Sequence, residues 1–384
     1  MSNTSICILI MCTNESHIIK ETLETTLPYA TDYIICDNAS TDNTVQICQD
    51  FFNEHQIKGQ IFHYHWVNFG HNYSYLYNLA YKHTQSQYWF QIDADDLIHG
   101  HLDLNNLTKD KYHLKFGDEG DISYTRPQIF KNDIKWVHRL KIHGYIDTES
   151  KGTPHITSDT IYGDYYIASR RLGNRHKIDY KTKYLNDAKM LQEDINNPTI
   201  DDVDKSRCYF YLGQSYLCAG EYKKSIQAYE KRISKGYWKE EIFYSKYQIG
   251  QCYKFLAYGT GENLTIINDT YYKKALDYYE DSWKYRPTRS EGLYQAARLC
   301  RICGDYKKAY QYVLKGKNIK IPNDTLFVMT EGYLWGFDFE LTIICYCINK
   351  NNEGLKACQR LLVNKNLPDD MKTRVEENYK FYEL

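Results

Sequence analysis

The segment WFQIDADDLIHG, residues 89–100, closes an apolar run with three carboxylates, Asp93, Asp95 and Asp96. Carboxylates two apart in an extended strand point the same way, and a turn at Ala94 can instead splay them around one small object. A divalent cation that carries phosphate oxygens suits such a pair, because Mg²⁺ takes one or two protein carboxylates and completes its sphere with water and phosphate. Asp also starts turns and caps helices, so the segment alone fits a capped turn equally well.

The residues that precede this segment alternate between apolar runs and helix-like stretches. The runs ICILIMC, DYIICDN, IFHYHWV and YWFQID predict four strands, and a helical pattern follows each of the first three. This alternation predicts a parallel sheet covered by helices, in which ligands bind beyond the carboxyl ends of the strands. A polar cluster follows each strand, and we expect the four clusters to meet at one edge. They are Thr13-Asn14-Glu15, Asp37-Asn38-Ala39-Ser40, Asn68-Phe69-Gly70 and Asp93-Ala94-Asp95-Asp96.

The second half of the chain has a helical pattern with an internal repeat. Small and aromatic residues recur at the offsets of a tetratricopeptide repeat of about 34 residues. Gly213 with Tyr229 marks the first copy, Gly250 with Tyr279 the second and Ala297 the third, and a degenerate fourth covers residues 338–368. A plain helical bundle is the alternative. We therefore predict an α/β domain over residues 1–180 and an all-α, tetratricopeptide-like domain over residues 181–384.

The charge balance and the apolar runs exclude several classes of protein. Lys and Arg number 48 against 49 for Asp and Glu, a net charge of −1, which argues against a general nucleic-acid binder. The run at residues 6–12 is too short to span a membrane and lacks the basic flank and cleavage site of a signal peptide. These features predict a soluble cytoplasmic protein without a transmembrane segment. The 12 cysteines, mostly in apolar or helical contexts, are expected to be reduced thiols.

The ordered strand-end motifs, together with Asn78-Leu79-Ala80, resemble those of family 2 glycosyltransferases with the GT-A fold. The resemblance implies a transferase of the hexosyl or N-acetylhexosaminyl type that takes its sugar from a nucleotide-diphosphate donor. A UDP-sugar is favoured by its frequency in the family. The donor would be held as a complex with Mn²⁺ or Mg²⁺, and Asp95 would ligate the cation. Asp96 would either support Asp95 or cap the next turn.

The resemblance also implies which residues bind the donor. Thr13 and Glu15 would line the base and ribose, and Asp37 would accept a hydrogen bond from the base. Asp93 would lie by the ribose or the sugar. The full predicted set of donor-binding residues is Thr13, Glu15, Asp37, Asn68, Gly70, Asp93 and Arg126. Where many members carry Arg before the Asn of the third motif, this chain has Tyr77.

The stretch from Arg126 to His138 is similar to R-x-x-F-R…W-x-x-x-H-E in the subgroup that fuses this domain to tetratricopeptide repeats. That subgroup has bacterial and giant-virus members, for which the host cytoplasm is the expected location. Its Glu after the His is replaced here by Arg139. An inverting transfer needs a base to take the acceptor proton.

The predicted candidates for that base are His138, Asp147 and Glu149. His155 is either a further candidate or a third metal ligand. Four arginines are candidates to clamp the diphosphate, with solvated surface charge as the alternative for each. They are Arg126, Arg170, Arg171 and Arg175.

The leading hypothesis is a metal-dependent, inverting glycosyltransferase that acts on a glycan, peptide or protein. Its helical repeats would bind the acceptor or form a homodimer. The alternative is a non-catalytic helical-repeat scaffold that carries a degenerate glycosyltransferase domain. A nucleotidyltransferase would need a glycine-rich loop after the first strand, and MCTNESHIIK has no glycine.

Overall fold

The computed structural model describes residues 4–118, 121–153, 155–170, 172–173, 177–258 and 268–383. The chain divides into two compact units, Met1–Asp194 and Ile195–Leu384. The predicted boundary at residue 180 falls at the first residue of a helix, α4 (Tyr180–Asn196).

The first unit is built on a mixed β-sheet. Its strands are β1 (Ile6–Cys12), β2 (Asp32–Asp37), β3 (Lys58–His63), β4 (Tyr88–Gln91), β5 (Asp96–Gly100), β6 (Lys111–Asp118), β7 (Asp121–Lys131), β8 (Trp136–Arg139), β9 (Tyr145–Thr148), β10 (Ser158–Thr160) and β11 (Tyr165–Ser169). Among the described residues the sheet runs in the order β3, β2, β1, β4, β7, β6, β11, β5, with β10 beside β6. β8 and β9 form a separate antiparallel ribbon.

The first four strands are parallel and adjacent, as the alternating pattern predicts. β1 pairs with both β2 and β4, and β2 pairs with β3, all in parallel register. Helices α1 (Ile19–Thr26) and α2 (Thr44–Glu54) pack on one face, against alternate residues such as Ile8 and Ile10. Helix α3 (Phe69–His83) packs on the other face, against Cys7 and Leu9. Burial on both faces explains the nearly continuous apolar character of β1 and β2.

The antiparallel part of the sheet positions the acidic segment. β4 ends at Gln91, and Asp96 begins β5, so Asp93 and Asp95 lie in the connection between the two strands. The Asp96 N–H donates to the Asp93 carbonyl oxygen at 3.1 Å, which makes this connection a tight turn. β7 runs antiparallel to β4. It therefore carries Arg126 alongside the carboxyl end of β4.

The second unit is entirely helical among its described residues. Its helices are α5 (Asp202–Cys218), α6 (Tyr222–Lys235), α7 (Lys239–Tyr258), α8 (Asp269–Tyr285), α9 (Glu291–Ile302), α10 (Tyr306–Gly316), α11 (Phe337–Cys347), α12 (Asn351–Leu362) and α13 (Asp369–Lys380), with a π-helical turn at Gly332–Gly336. The helices pair as α5 with α6, α7 with α8, α9 with α10 and α11 with α12. These pairs correspond to the four predicted repeats.

The predicted small residues have a packing role. A Cβ added to Gly213 would lie 2.7 Å from the Tyr229 ring, and one added to Gly250 would lie 2.6 Å from the Tyr279 ring. Both tyrosines are fully buried. Glycine in the first helix of the first two repeats therefore admits a tyrosine of the second helix.

One cysteine pair, Cys300 and Cys303 near the end of α9, has the C-x-x-C spacing of redox and metal sites. Both are free thiols, and burial raises the pKa of Cys300 to about 11. Burial therefore disfavours the thiolate form that redox and metal-binding cysteines use. Of the helices in the described part of the chain, none has the length and apolar character needed to cross a membrane.

Candidate functional site

The loops after β1 and β2 interlock through side-chain to backbone hydrogen bonds. The Asn14 N–H donates to Ser40 Oγ at 2.8 Å, and Asn14 Oδ1 accepts from the Thr41 N–H at 2.7 Å. Asn14 has φ 56°, a left-handed conformation that Asn tolerates better than most residues. The Glu15 N–H donates to Thr44 Oγ1 at 2.8 Å. Two polar strand ends therefore form one rigid edge.

A cavity of about 630 Å³ opens above this edge. Its floor includes Thr13, Glu15 and Asn38, the residues that follow β1 and β2. Trp66 and Phe69, from the β3–α3 connection, form one side. Their rings meet edge to face with centroids 4.7 Å apart, and Trp66 is 44% exposed. A flat aromatic group has a stacking surface here, and polar groups lie within the same space.

The other side of the cavity comes from α4 and the residues just before it. These lining residues are Lys177, Ile178, Lys183, Asn186, Asp187 and Met190. The end of α4 is fixed by the β8–β9 turn, because the Lys141 N–H donates to the buried Asp194 carboxylate at 2.8 Å and Lys141 Nζ lies 2.6 Å from Glu193 Oε2. Lys177 and Lys183 therefore line a cavity whose floor carries the Glu15 carboxylate.

Arg126 holds two of the three acids of the opening segment. Its Nη2 lies 3.0 Å from Asp93 Oδ2 and 3.0 Å from Asp96 Oδ2, and its guanidinium lies 4.1 Å from the centroid of the Phe116 ring. Burial alone would lower the pKa of Arg126, but the charges of Asp93 and Asp96 raise it. Burial raises the pKa of Asp96 to about 8, and the charge of Asp93 adds to that rise. The Tyr73 hydroxyl donates to Asp93 Oδ1 at 2.8 Å.

Asp95 points away from this cluster, toward the segment after β11. Its Oδ2 accepts from the Leu172 N–H at 2.8 Å and from the Gly173 N–H at 2.9 Å. A Cβ added to Gly173 would lie 3.4 Å from Glu15 Oε1 and 3.5 Å from Asp95 Oδ2. Gly173 therefore separates two carboxylates, one of which lines the cavity, and Asp95 lies beside the cavity floor.

The other predicted donor-binding residues stabilise loops. Both Asp37 carboxylate oxygens accept from the Ser40 N–H, at 3.2 and 3.3 Å, and Oδ2 lies 3.0 Å from His63 Nδ1. Asn68 caps α3 by accepting from the His71 N–H at 2.9 Å. Gly70 allows close packing, because a Cβ there would lie 2.2 Å from the Leu140 carbonyl oxygen. The cavity lining takes Asn38 from the end of β2.

Of the three predicted bases, His138 is connected to the acidic cluster. Its ring stacks on that of Tyr73 at 5.3 Å between centroids, and Tyr73 binds Asp93. Asp147 pairs with Val137 in the β8–β9 ladder, so its side chain points away from the face that carries His138. It lies 3.8 Å from Arg139 instead.

Glu149 and His155 lie at the opposite edge of the sheet. Glu149 is 67% exposed and pairs with Lys135 at 3.7 Å, just beyond the end of β7, where β4 begins. His155 is exposed and stands two residues before Thr157, which hydrogen-bonds Asp110 at that same edge. The structure thus does not bring His155 to Asp95 as predicted, because β8 returns the chain to the site at His138 and β9 carries it away again to Glu149.

Arg170 lies next to Asp95. Its Nε donates to the Asp95 carbonyl oxygen at 2.9 Å, and its Nη1 pairs with Glu21. The other two predicted clamps, Arg171 and Arg175, lie outside the described residues. The sequence did not single out Trp66, Lys183 or Asp187 as cavity residues. The available signal for Trp66 was an aromatic residue two positions before Asn68. The position of α4 beside the cavity depends on the tertiary fold.

Comparison with known proteins identifies one domain. Residues 7–176 match the model for glycosyl transferase family 2. Among curated proteins no match is found. Solved structures that resemble the chain include S. aureus TarS 1–349 in complex with UDP-GlcNAc, with 12% identity, 73% of this chain and 91% of that chain covered, and a TM-score of 0.37. A thermophilic TPR protein from Thermus thermophilus has 13% identity, 52% and 90% coverage and a TM-score of 0.34. These two likenesses are too distant to carry a functional argument.

Proposed function

We propose that the first unit, whose residues 7–176 match the model for glycosyl transferase family 2, is an inverting, metal-dependent transferase that takes its sugar from a UDP-sugar. The observation that carries the proposal is the cavity of about 630 Å³ with Glu15 in its floor and Asp95 beside it. This volume lies in the usual range for small-molecule sites, and its polar groups lie at the carboxyl ends of parallel strands.

The donor's parts correspond to different walls of the cavity. The uracil ring would stack on the Trp66 and Phe69 side, with Thr13 and Asn38 offering hydrogen bonds at its edge. The ribose would lie at Glu15. Lys177 and Lys183 would neutralise the diphosphate from the α4 side, and Arg170 would approach it from the Asp95 side. Asp37 would act on the base through the loop that it stabilises. Arg126 would hold Asp93 in place for the sugar.

The residues fit a cation bound partly by substrate. Among the described residues, no group of three or more His, Cys, Asp and Glu side chains is placed to hold a metal ion. Asp95, and Glu15 on the other side of Gly173, offer carboxylate oxygens. Mn²⁺ and Mg²⁺ use such hard ligands together with water and phosphate. When bound, the cation would stabilise the charge that develops on the leaving diphosphate.

The proton of the acceptor hydroxyl requires a base on the other side of the sugar. His138 is the proposed base, because it is the predicted candidate that contacts Tyr73 and through it Asp93. The acceptor would be a glycan, a peptide or a protein. Cytoplasmic residence and homodimer formation through the helical repeats remain predictions of the sequence.

Donor hydrolysis tests the proposed function without knowledge of the acceptor. The protein is incubated with Mn²⁺ and, separately, with UDP-, GDP- and dTDP-sugars, and nucleotide release is followed by chromatography. We expect slow UDP release that a chelator abolishes. If a folded sample neither binds nor hydrolyses any donor in the panel, the non-catalytic scaffold becomes the better explanation. If release occurs and a chelator has no effect, the metal dependence is wrong and the transferase stands.

A further inference from the structure

The second unit contains a long segment without regular secondary structure. This segment packs across several helices of the same unit. Fifteen residues, 317–331, separate the end of α10 at Gly316 from the π-helical turn that starts at Gly332. Connections of this length inside a compact domain are uncommon and are usually functional. Residues Asp324–Met329, which we call the strap, lie against α5, α7, α9 and the α8–α9 loop. The side chains of those elements that contact the strap form the groove.

Helix side chains bind the strap through its backbone. Glu240 Oε2 accepts from the Thr325 N–H at 2.9 Å and from the Leu326 N–H at 2.8 Å. Arg289 donates to the Leu326 carbonyl oxygen at 3.1 Å and to the Phe327 carbonyl oxygen at 3.0 Å. Glu291 accepts from the Met329 N–H at 3.3 Å. Five backbone groups of the strap are thus satisfied by side chains, which is how a protein surface holds a peptide ligand.

The groove also contacts two side chains of the strap, Asp324 and Phe327. The Asp324 carboxylate pairs with Arg286, whose Nε lies 2.5 Å away, and with Arg289 Nη1 at 3.1 Å. The Phe327 ring lies 4.9 Å from the Tyr244 ring and 6.5 Å from the Phe210 ring, between centroids. Between these two, Leu326 is buried at 8% exposure. The groove therefore selects a carboxylate followed, two and three residues later, by an aliphatic and an aromatic side chain.

Part of the strap is exposed or in an unfavourable conformation. Phe327 remains 46% exposed, and Thr325 is exposed. Phe327 also has φ 45°, a left-handed conformation that is unfavourable for a bulky residue. Arg289 would keep Glu291 as an ion-pair partner at 2.8 Å after the strap leaves. Release would uncover Leu326, which belongs to the apolar core of the unit, and Met329, which packs against that core, as well as polar groups that water can solvate.

We propose that the groove is a binding site for a peptide of the pattern Asp-x-aliphatic-aromatic in the conformation of the strap, and that the strap occupies it in cis. Because the strap is tethered, its effective concentration at the groove is in the millimolar range. A partner peptide must therefore bind the groove more tightly than the strap does, or the strap must first be displaced. The proposal concerns the helical unit and does not depend on the transferase activity.

A labelled peptide tests the site in the full-length protein. Fluorescein is attached to a peptide with the sequence of residues 321–331, IPNDTLFVMTE, and binding is measured by anisotropy to the wild type and to a strap variant, Asp324→Ala with Phe327→Ala. We expect the variant to bind at least about 10-fold more tightly, because the competing strap is weakened. Adding Glu240→Gln to the variant should reduce binding about 10-fold, whereas adding Glu376→Gln on α13 should not. Equal, weak binding to all four proteins would overturn the proposal.

Hydrogen exchange of the wild type supplies a second measurement that needs no variant. Local release predicts that the amides of Thr325, Leu326 and Met329 exchange at least about 100-fold faster than the core amides of α7 and α9. If they exchange only as fast as those core amides, the strap is an integral part of the fold and the proposal fails. A wild-type dimer that becomes monomeric in the strap variant would also overturn the assignment in cis, since the occupant would then be the strap of a second copy.

Discussion

Arg126 Nη2 lies 3.0 Å from Oδ2 of Asp96, a carboxylate whose side chain has no exposed surface. The same nitrogen holds Asp93. One guanidinium therefore contacts two acids beside the proposed cation ligand, and Arg126 is held by these contacts within the protein. Its task is to fix the acidic turn.

Replacing Arg126 with Met should destabilise the first unit. The change keeps the length of the side chain but removes the cation that faces Asp93 and the buried Asp96. At about pH 9, where Asp96 is ionised in the wild type because its pKa is about 8, the expected cost is about 3 kcal/mol, the low end for breaking a buried pair. Thermal unfolding of the purified variant measures the loss. Adding Asp96→Asn should recover most of it, because the second change removes the uncompensated charge. Additive losses in the double variant would show that Arg126 stabilises the unit by another route.

Asp95→Asn should abolish the metal dependence of donor hydrolysis. The amide oxygen can still accept from the Leu172 and Gly173 N–H groups, so the melting temperature should stay nearly constant. We expect the Mn²⁺-stimulated rate to fall by about 100-fold or more, which is about 2.7 kcal/mol of transition-state stabilisation.

The matched control for that experiment is His155→Ala. Because His155 lies at the opposite edge of the sheet, its removal should leave the Mn²⁺ titration of the hydrolysis rate unchanged. A large loss of stability in Asp95→Asn, with the metal response intact, would support the capped-turn interpretation of the acidic segment.

His138→Gln should slow donor hydrolysis by about 100-fold or more, as expected when a general base is lost. Glu149→Gln, at the Lys135 edge, should stay within about twofold of the wild type, because surface substitutions away from a site are usually neutral. Steady-state rates with UDP-sugar and Mn²⁺ compare the three proteins. Equal rates for all of them would exclude His138 as the base.

Lys183→Ala should weaken UDP binding about 10-fold, because a charged contact to phosphate is lost from the α4 wall of the cavity. Lys189 is an exposed residue of the same helix and does not line the cavity. Lys189→Ala should therefore bind UDP like the wild type. Isothermal titration calorimetry measures both variants. If the two variants lose affinity for UDP equally, α4 contributes to UDP binding through its general positive charge and not through a specific contact of Lys183.

Gly250→Ala should destabilise the helical unit in spite of the better helix propensity of Ala. The new Cβ would lie 2.6 Å from the buried Tyr279 ring, and overpacking costs about 1–3 kcal/mol against a propensity gain of about 1 kcal/mol. Thermal unfolding followed by circular dichroism should show a lower midpoint. Ser234→Ala, at an exposed position of α6, serves as the neutral reference. A higher midpoint in Gly250→Ala would mean that Tyr279 moves aside without cost.

The sequence predicted the parallel strands and the repeats because both have strong periodic signals. β1 and β2 are continuous apolar runs, and Gly213 and Gly250 recur at a fixed spacing with their tyrosines. The four polar clusters do follow their strands. Thr13 and Glu15 line the cavity, while Asp37 and Asn68 stabilise the loops around it.

The misplacements have a topological cause. Residues after β4 cross the sheet along β7, and short motifs carry no information about which edge the chain reaches afterwards. Glu149 and His155 were near the site in the linear order of the family pattern and are far from it in the fold. Conversely, Lys183 and Asp187 belong to a helix that the sequence assigned to the repeats. Only the packing of α4 against the β8–β9 turn, through Asp194, brings them to the cavity.

The position of α4 sets where the chain can be divided. A protein that ends after residue 180 would retain the whole family match at residues 7–176 and every strand of the sheet. It would lack the helix that carries Lys183, Asn186 and Asp187 to the cavity. Such a fragment would fold into the sheet with an open trough in place of a pocket. A recombination event or an engineered fusion that exchanges the transferase would have to keep the chain through Asp194, or the incoming partner would have to supply the missing wall.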